Sequence, residues 1–231
     1  MFDLKQMLDQ YVGGQAENKA QSTSGSIGGI AGGALAGGLV GLLAGTKTGR
    51  KIGKNALAYG GTAVLGGLAY KAWRDWQSGK PASDVGKHPH EAIESLPQPP
   101  AGSAFLPKPG EEASFDLILI RAMIAGAKAD GKIDAQEKRR IADQMKASGM
   151  DEEKRDFVLA EMERPLDMDE IVSGATCMET AAEIYAASLM IADPSGPAER
   201  GYLAMLAARL KLDPGLVAHL HANATGPHAV A

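Results

Sequence analysis

Seven glycines stand four residues apart without a break: Gly29, Gly33, Gly37, Gly41, Gly45, Gly49 and Gly53. On a helix this spacing leaves one stripe with no side chains, so a second backbone can approach closely. The first five lie in Ile27–Gly45, 19 residues without a charge. At about 1.5 Å per residue, a helix of that length approaches the ~30 Å of a bilayer core. The segment reads as a glycine-zipper membrane helix that self-associates through Gly29, Gly33, Gly37, Gly41 and Gly45. The alternative is a soluble Gly/Ala-rich stretch. It would leave Leu35, Leu39, Val40, Leu42 and Leu43 in water with nothing local to cover them.

Composition divides the chain. Fifteen of its 29 glycines fall between Gly25 and Gly67, and seven of its 12 prolines between Pro81 and Pro109, which a uniform globular domain would not show. The net charge of -4 argues against nucleic acid as a partner. A single cysteine, Cys177, excludes an intramolecular disulfide framework. The amino terminus lacks a basic stretch followed at once by an apolar core and does not read as a cleaved signal peptide.

Residues 1–26 comprise a short amphipathic helix, Phe2–Val12, and a polar stretch. Residues 27–80 form a glycine-rich, membrane-associated region. Within it Lys47, Arg50, Lys51 and Lys54 separate Ile27–Gly45 from a second apolar segment, Asn55–Tyr70. As a helix that second segment spans only about 24 Å, short for a full crossing. Trp73 and Trp76 follow with Lys71 and Arg74, a pattern of interfacial anchors. Residues 81–111 are Pro-rich without a sustained hydrophobic period and read as an extended linker.

From residue 112 to 226 the pattern is helical throughout. Helices are expected over Phe115–Ala129, Asp134–Ser148, Asp151–Glu163, Asp167–Ser173, Met178–Ala192, Pro197–Leu210 and Pro214–Ala222. Asp213-Pro214 supplies an N-cap followed by proline at the first helical position. The expected fold class is all-α, a helical bundle of two pseudo-repeats behind the glycine-zipper segment and the linker. The repeats are Ala125–Met145 and Ser188–Leu210, each a helix end, an acidic turn and a new helix.

Two motifs in these repeats resemble the TerB-like domain of tellurite-resistance proteins: A-x-A-D-G-x-I-D-x-x-E at Ala127–Glu137, and I-Y-x-A-S-L-x-x-x-D…E-R-x-Y-L-x-x-L-A-x-x-L at Ile184–Leu210. With the segments in front, the whole chain resembles the YebE type of bacterial inner-membrane protein. The resemblance implies an all-helical fold and an acidic, metal-binding site between the repeats. It also suggests a link to envelope or toxic-ion stress.

Asp130 to Glu137 matches the second half of an EF-hand loop. Calcium needs six to eight oxygens, and Gly126 and Lys128 occupy the first and third ligand positions without a carboxylate. The second turn can supply the rest if the repeats face each other. The candidate metal ligands are therefore Asp130, Asp134, Glu137, Asp193 and Glu199, and the expected cation is calcium, magnesium or manganese. The other reading is capping: Asp134 and Glu137 form a capping-box pattern, Glu199 complements a helix dipole, and Asp193 precedes Pro194 in a turn. Both can hold at once.

His88-Pro-His90 and His219-x-His221 do not share a helical face and make poor zinc chelates. No nucleophilic triad stands out, so no catalytic residue is assigned and the chain is read as not an enzyme. Cys177, Tyr185, Ser188, Arg200 and Tyr202 read as packing residues of the bundle. The expectation is a membrane-anchored sensing or adaptor module in the bacterial inner membrane. It is a homo-oligomer with an unknown protein partner, and its basic flanks place the carboxy-terminal domain in the cytoplasm. The alternatives are a metal-dependent hydrolase and a soluble structural protein.

Overall fold

The computed structural model describes residues 61–85, 96–106, 111–131, 133, 135–147, 152–192 and 194–225. They contain helices and turns, with no strand among them: α1 (Gly61–Gln77), α2 (Ala82–Val85), α3 (Glu112–Ala127), α4 (Ala135–Ala147), α5 (Glu152–Glu163), α6 (Met168–Ser173), α7 (Met178–Leu189), α8 (Pro197–Arg209) and α9 (Pro214–Thr225). The all-α expectation holds, and the helices after residue 112 fall where periodicity and caps place them. Asp167 accepts from the Glu170 amide at 3.0 Å to start α6, and Asp213 accepts from the Gly215 amide at 2.7 Å to start α9. The amino-terminal helix Phe2–Val12 and the zipper glycines Gly29 to Gly53 lie outside the described residues. Among the described residues no helix is long and apolar enough to cross a membrane.

α7 is the axis of the bundle. Every residue from Ala181 to Ala192 is buried, so this helix faces protein on all sides. Its pattern explains why: Ala181, Ala182, Ala186 and Ala187 keep it thin, while Ile184, Tyr185 and Leu189 fill the space between neighbours. α3, α1, α8, α9 and α6 all pack on it. The closest approach is to α3. A Cβ added to Gly126 would stand 2.6 Å from the Ser188 carbonyl oxygen, and Ser188 Oγ donates to the Ala122 carbonyl at 2.8 Å. Gly126 and Ser188 each stand about one turn before the acidic turn that ends their helix, so equivalent places in the two repeats meet.

α1, in the part of the chain read above as membrane-associated, packs along α9 and α7 with Leu65, Leu68, Ala69 and Ala72 buried. Its length and apolar face suit an interface with protein as well as one with lipid, and the bundle offers two grooved helices to cover it. Gly66 and Gly67 serve different neighbours. A Cβ at Gly66 would stand 3.1 Å from Glu183 Oε1 on α7, and one at Gly67 would stand 3.1 Å from Leu96 Cβ.

The tryptophans are packing residues too. Trp73 and Tyr70 each meet Phe105 edge to face, at centroid distances of 6.1 and 5.4 Å. Phe105 is itself buried, so residues 96–106 of the Pro-rich stretch form a strap laid on α1 rather than free linker. The polar end of α1 is fastened by Asp75, which is 3% exposed and bonded to Lys71 at 2.9 Å and Lys80 at 3.2 Å. Lys71 reaches on to Asn223 of α9 at 2.8 Å. Burial pushes the Asp75 carboxyl up, yet the two ammonium groups outweigh it and hold it below its ordinary value.

The two helix glycines Gly126 and Gly201 make a direct comparison. Gly126→Ala must move the α7 backbone and should destabilise the chain by about 1–3 kcal/mol. Gly201 on α8 is exposed with nothing within 4 Å of a new Cβ. Gly201→Ala should therefore stabilise by roughly 0.5–1 kcal/mol. Denaturant titration of the two variants checks the signs, which must be opposite.

Candidate functional site

The acidic turns are placed as follows. Asp130 is exposed in the turn after α3. Asp134 and Asp193 lie outside the described residues, and of Glu137 only the backbone in α4 is described. Glu199, at the third position of α8, is 8% exposed, and its carboxyl lies so close over Gly196 that a Cβ there would collide with it. That is the geometry of an acid folded back on its own helix start, where the dipole favours it. Among the described residues no group of three or more His, Cys, Asp or Glu side chains is arranged to hold a metal.

The structure brings together a different pair of acids. Glu183 sits in the middle of α7 at 4% exposure, and Asp116 lies near the start of α3 at 7%. Glu183 Oε2 has no hydrogen-bond partner, while Oε1 faces Gly66. Loss of water, with the like charge of Asp116 added, raises the Glu183 carboxyl well above its ordinary value. A buried carboxyl with an unsatisfied oxygen is far cheaper as the neutral acid. Asp116 and Glu183 both lie toward the amino ends of their helices from the Ala122–Ser188 contact. α3 and α7 therefore run side by side in the same sense, and their acidic turns leave at the same end.

On the other side of α7, Tyr185 bonds the ring of His221 at 2.8 Å. Burial raises the phenol and lowers the imidazole, so both are neutral in the fold near neutral pH. Ser188 Oγ also meets Tyr202 Oη at 2.9 Å, and burial pushes the Tyr202 phenol up to about 12. Tyr185, Ser188 and Tyr202 are thus interior packing groups, as their pattern suggests. Arg200 is exposed and donates to the Ser195 carbonyl. Cys177 is half-buried at the N-cap of α7 instead of in the core, its amide donating to Thr180 Oγ1 at 3.1 Å. His219 is buried, and its Nδ1 has no hydrogen-bond partner.

A small cleft opens where α3, α5 and α6 converge, lined by Arg121, Lys128, Glu161, Arg164 and Glu170 among others. Its charges are mutually satisfied. Arg121 bonds Glu161 at 2.9 Å and Glu170 at 2.5 Å, and Arg164 bonds the same two acids at 2.9 and 3.0 Å. Lys128 caps the group on the Arg164 carbonyl at 2.6 Å. This is a clamp that fixes α5 and α6 to α3, and its guanidinium groups are already occupied.

Sequence reasoning missed Asp116, Glu183 and the Arg121 clamp. The signal for Glu183 was present: it is the one charge in the apolar run from Thr180 to Ala192. Arg121 likewise interrupts an apolar run, but its two acids come from α5 and α6, which spacing along the chain cannot pair.

These features define, among the described residues, an all-helical bundle built around one enclosed helix, with one buried acid on that helix and another on the helix beside it. The chain belongs to the DUF533 family, a family of unknown function, whose profile matches residues 29–224. The match runs from the glycine stripe through α9, so both halves belong to one family unit. An uncharacterized protein from the ampR 5' region of Yersinia enterocolitica is 31% identical over 94 residues, covering 41% of this chain and 68% of that protein. No solved structure matches this chain.

The clamp has a pH signature. Burial pushes the Glu161 carboxyl up, but Arg121 and Arg164 hold it below its ordinary value. Its stabilisation is therefore present at neutral pH and is lost as pH falls through the folded-state value. Arg121→Met should cost about 1.5–3 kcal/mol at neutral pH. Denaturant midpoints across pH should show that cost shrinking in acid.

Proposed function

We propose that this chain is a membrane-tethered, non-catalytic adaptor of the YebE type, whose TerB-like bundle is held close against the inner membrane. The observation that carries the proposal is the packing of α1. Only residues 54–60 separate the last zipper glycine, Gly53, from α1, and α1 is fastened to α7 and α9. A bundle attached in this way cannot roam on the 81–111 stretch. It stays near whatever holds Ile27–Gly45. With Leu65 and Leu68 of the second apolar segment buried in the bundle, Ile27–Gly45 is the apolar run available to span a bilayer. One span with the bundle on the side of the basic residues Lys47–Lys54 follows from the positive-inside tendency.

Association of several chains through the glycine stripe would gather bundles into an array and raise the effective concentration of a bound partner. The partner surface is provided by exposed positions of the bundle, and no chemistry is asked of it.

Two measurements test this reading. Bacterial membranes washed at alkaline pH should retain the full chain, and deletion of 27–45 should release it; release of the intact chain contradicts the proposal. In-membrane crosslinking should give weaker oligomer bands for Gly37→Leu, in the middle of the stripe, than for Leu39→Ala off it. Equal bands for the two variants remove the zipper from the account.

A further inference from the structure

We propose that Glu183 is a proton-operated latch: as the neutral acid it lets α1, with the 96–106 strap laid on it, seat on α7, and as the carboxylate it drives α1 off. This goes beyond membrane attachment and rests only on packing within the bundle. The side chain stands at the junction of three elements. It rises from α7, it lies against the backbone of α1 at Gly66, and Pro99 of the strap lies 3.9 Å from the same Gly66 Cβ position. It is 4% exposed, and Oε2 has no hydrogen-bond partner. Such a site accepts a neutral carboxyl and penalises an ionised one unless water can enter. Water reaches Glu183 when α1 lifts.

The surrounding charges reinforce this. From α3 comes Asp116, a like charge. Glu179, one turn earlier on α7, is another acid. The described side chains of α1 from Leu65 to Tyr70 carry no charge, and Lys71 is engaged by Asp75 and Asn223. The strap, residues 96–106, contains no charged residue. α9 meets α7 through Tyr185 and His221, with Tyr185 about 200° around the helix from Glu183. α8 meets it through Tyr202 and Ser188. On α6, Asp169 is engaged by Arg209, and Glu170 by Arg121 and Arg164. α9 also carries the buried His219. The influences on the Glu183 carboxyl are loss of water and the like charge of Asp116, and both favour the neutral acid.

The sign follows from linkage. The closed state holds the Glu183 proton to higher pH than the open state does. Opening therefore releases a proton, and is favoured by rising pH from the ordinary carboxylate range up to the closed-state value. Within that window the opening equilibrium should grow about tenfold per pH unit.

Hydrogen exchange of the full chain in mild detergent, corrected for intrinsic rates and followed from acid to mildly alkaline pH, reads this directly. Peptides covering 65–72 should lose protection about tenfold per pH unit through the window. Glu183→Gln, which keeps the shape without the titration, should hold protection flat. Asp116→Asn should end the fall at lower pH, because it removes the like charge. Both tryptophans lie on α1, so acrylamide quenching of their fluorescence gives a second readout on the wild-type chain and Asp116→Asn alone, usable if Glu183→Gln does not fold. Protection or quenching that ignores pH in the wild type overturns the latch. So does an unchanged midpoint in Asp116→Asn, or a Glu183→Gln variant that responds to pH as the wild type does.

Discussion

The fold depends on how closely helices can approach α7. A helix enclosed on all sides must be thin, and α7 achieves this with alanines at the contacts and a few large side chains between them. Where the helices come closest the partner helix supplies glycine: Gly126 of α3, where a Cβ would collide with the Ser188 backbone, and Gly66 of α1 beside Glu183. The hydrogen bond from Ser188 to the Ala122 carbonyl requires that proximity. Enclosure also places polar groups where water is excluded, so Ser188, Tyr185 and Tyr202 each find a protein partner, whereas one oxygen of Glu183 does not.

α1 links the two halves of the chain. Its apolar face completes the core, its aromatic residues receive the strap through Phe105, and its polar end is tied to α9 through Asp75, Lys71 and Asn223. The glycine-rich sequence just before it is thereby joined to the bundle by a short connection. Family membership runs from residue 29 to 224, across both halves. The Arg121 clamp does equivalent work elsewhere in the bundle, binding α5 and α6 to α3 with charges that neutralise one another.

Helices after residue 112 were legible because their signals are local: Asp213 as a cap, Pro214 at the first position, and apolar residues at helical spacing. Fold class followed from the same signals. The packing of residues 65–72 was not legible, since an apolar face with tryptophans and a lysine at its edge suits lipid and protein alike. Only the presence of α7 and α9 decides between them. Strap residues such as Phe105 and Leu96 were hidden by prolines that suppress any period. The acidic turns drew attention because their spacing is compact along the chain. Asp116 and Glu183, far apart in sequence, come together only through the crossing of α3 and α7.

The central claim is that α1 is an integral helix of the bundle. Equilibrium unfolding of the full chain in mild detergent, at mildly acidic pH, tests it with two signals from one sample. Tryptophan fluorescence reports α1 alone, through Trp73 and Trp76, and far-ultraviolet circular dichroism reports the helices together. An integral α1 predicts coincident transitions with one midpoint. A fluorescence transition completed at lower denaturant, while the helical signal persists, would show α1 to be a separate element and would contradict the account.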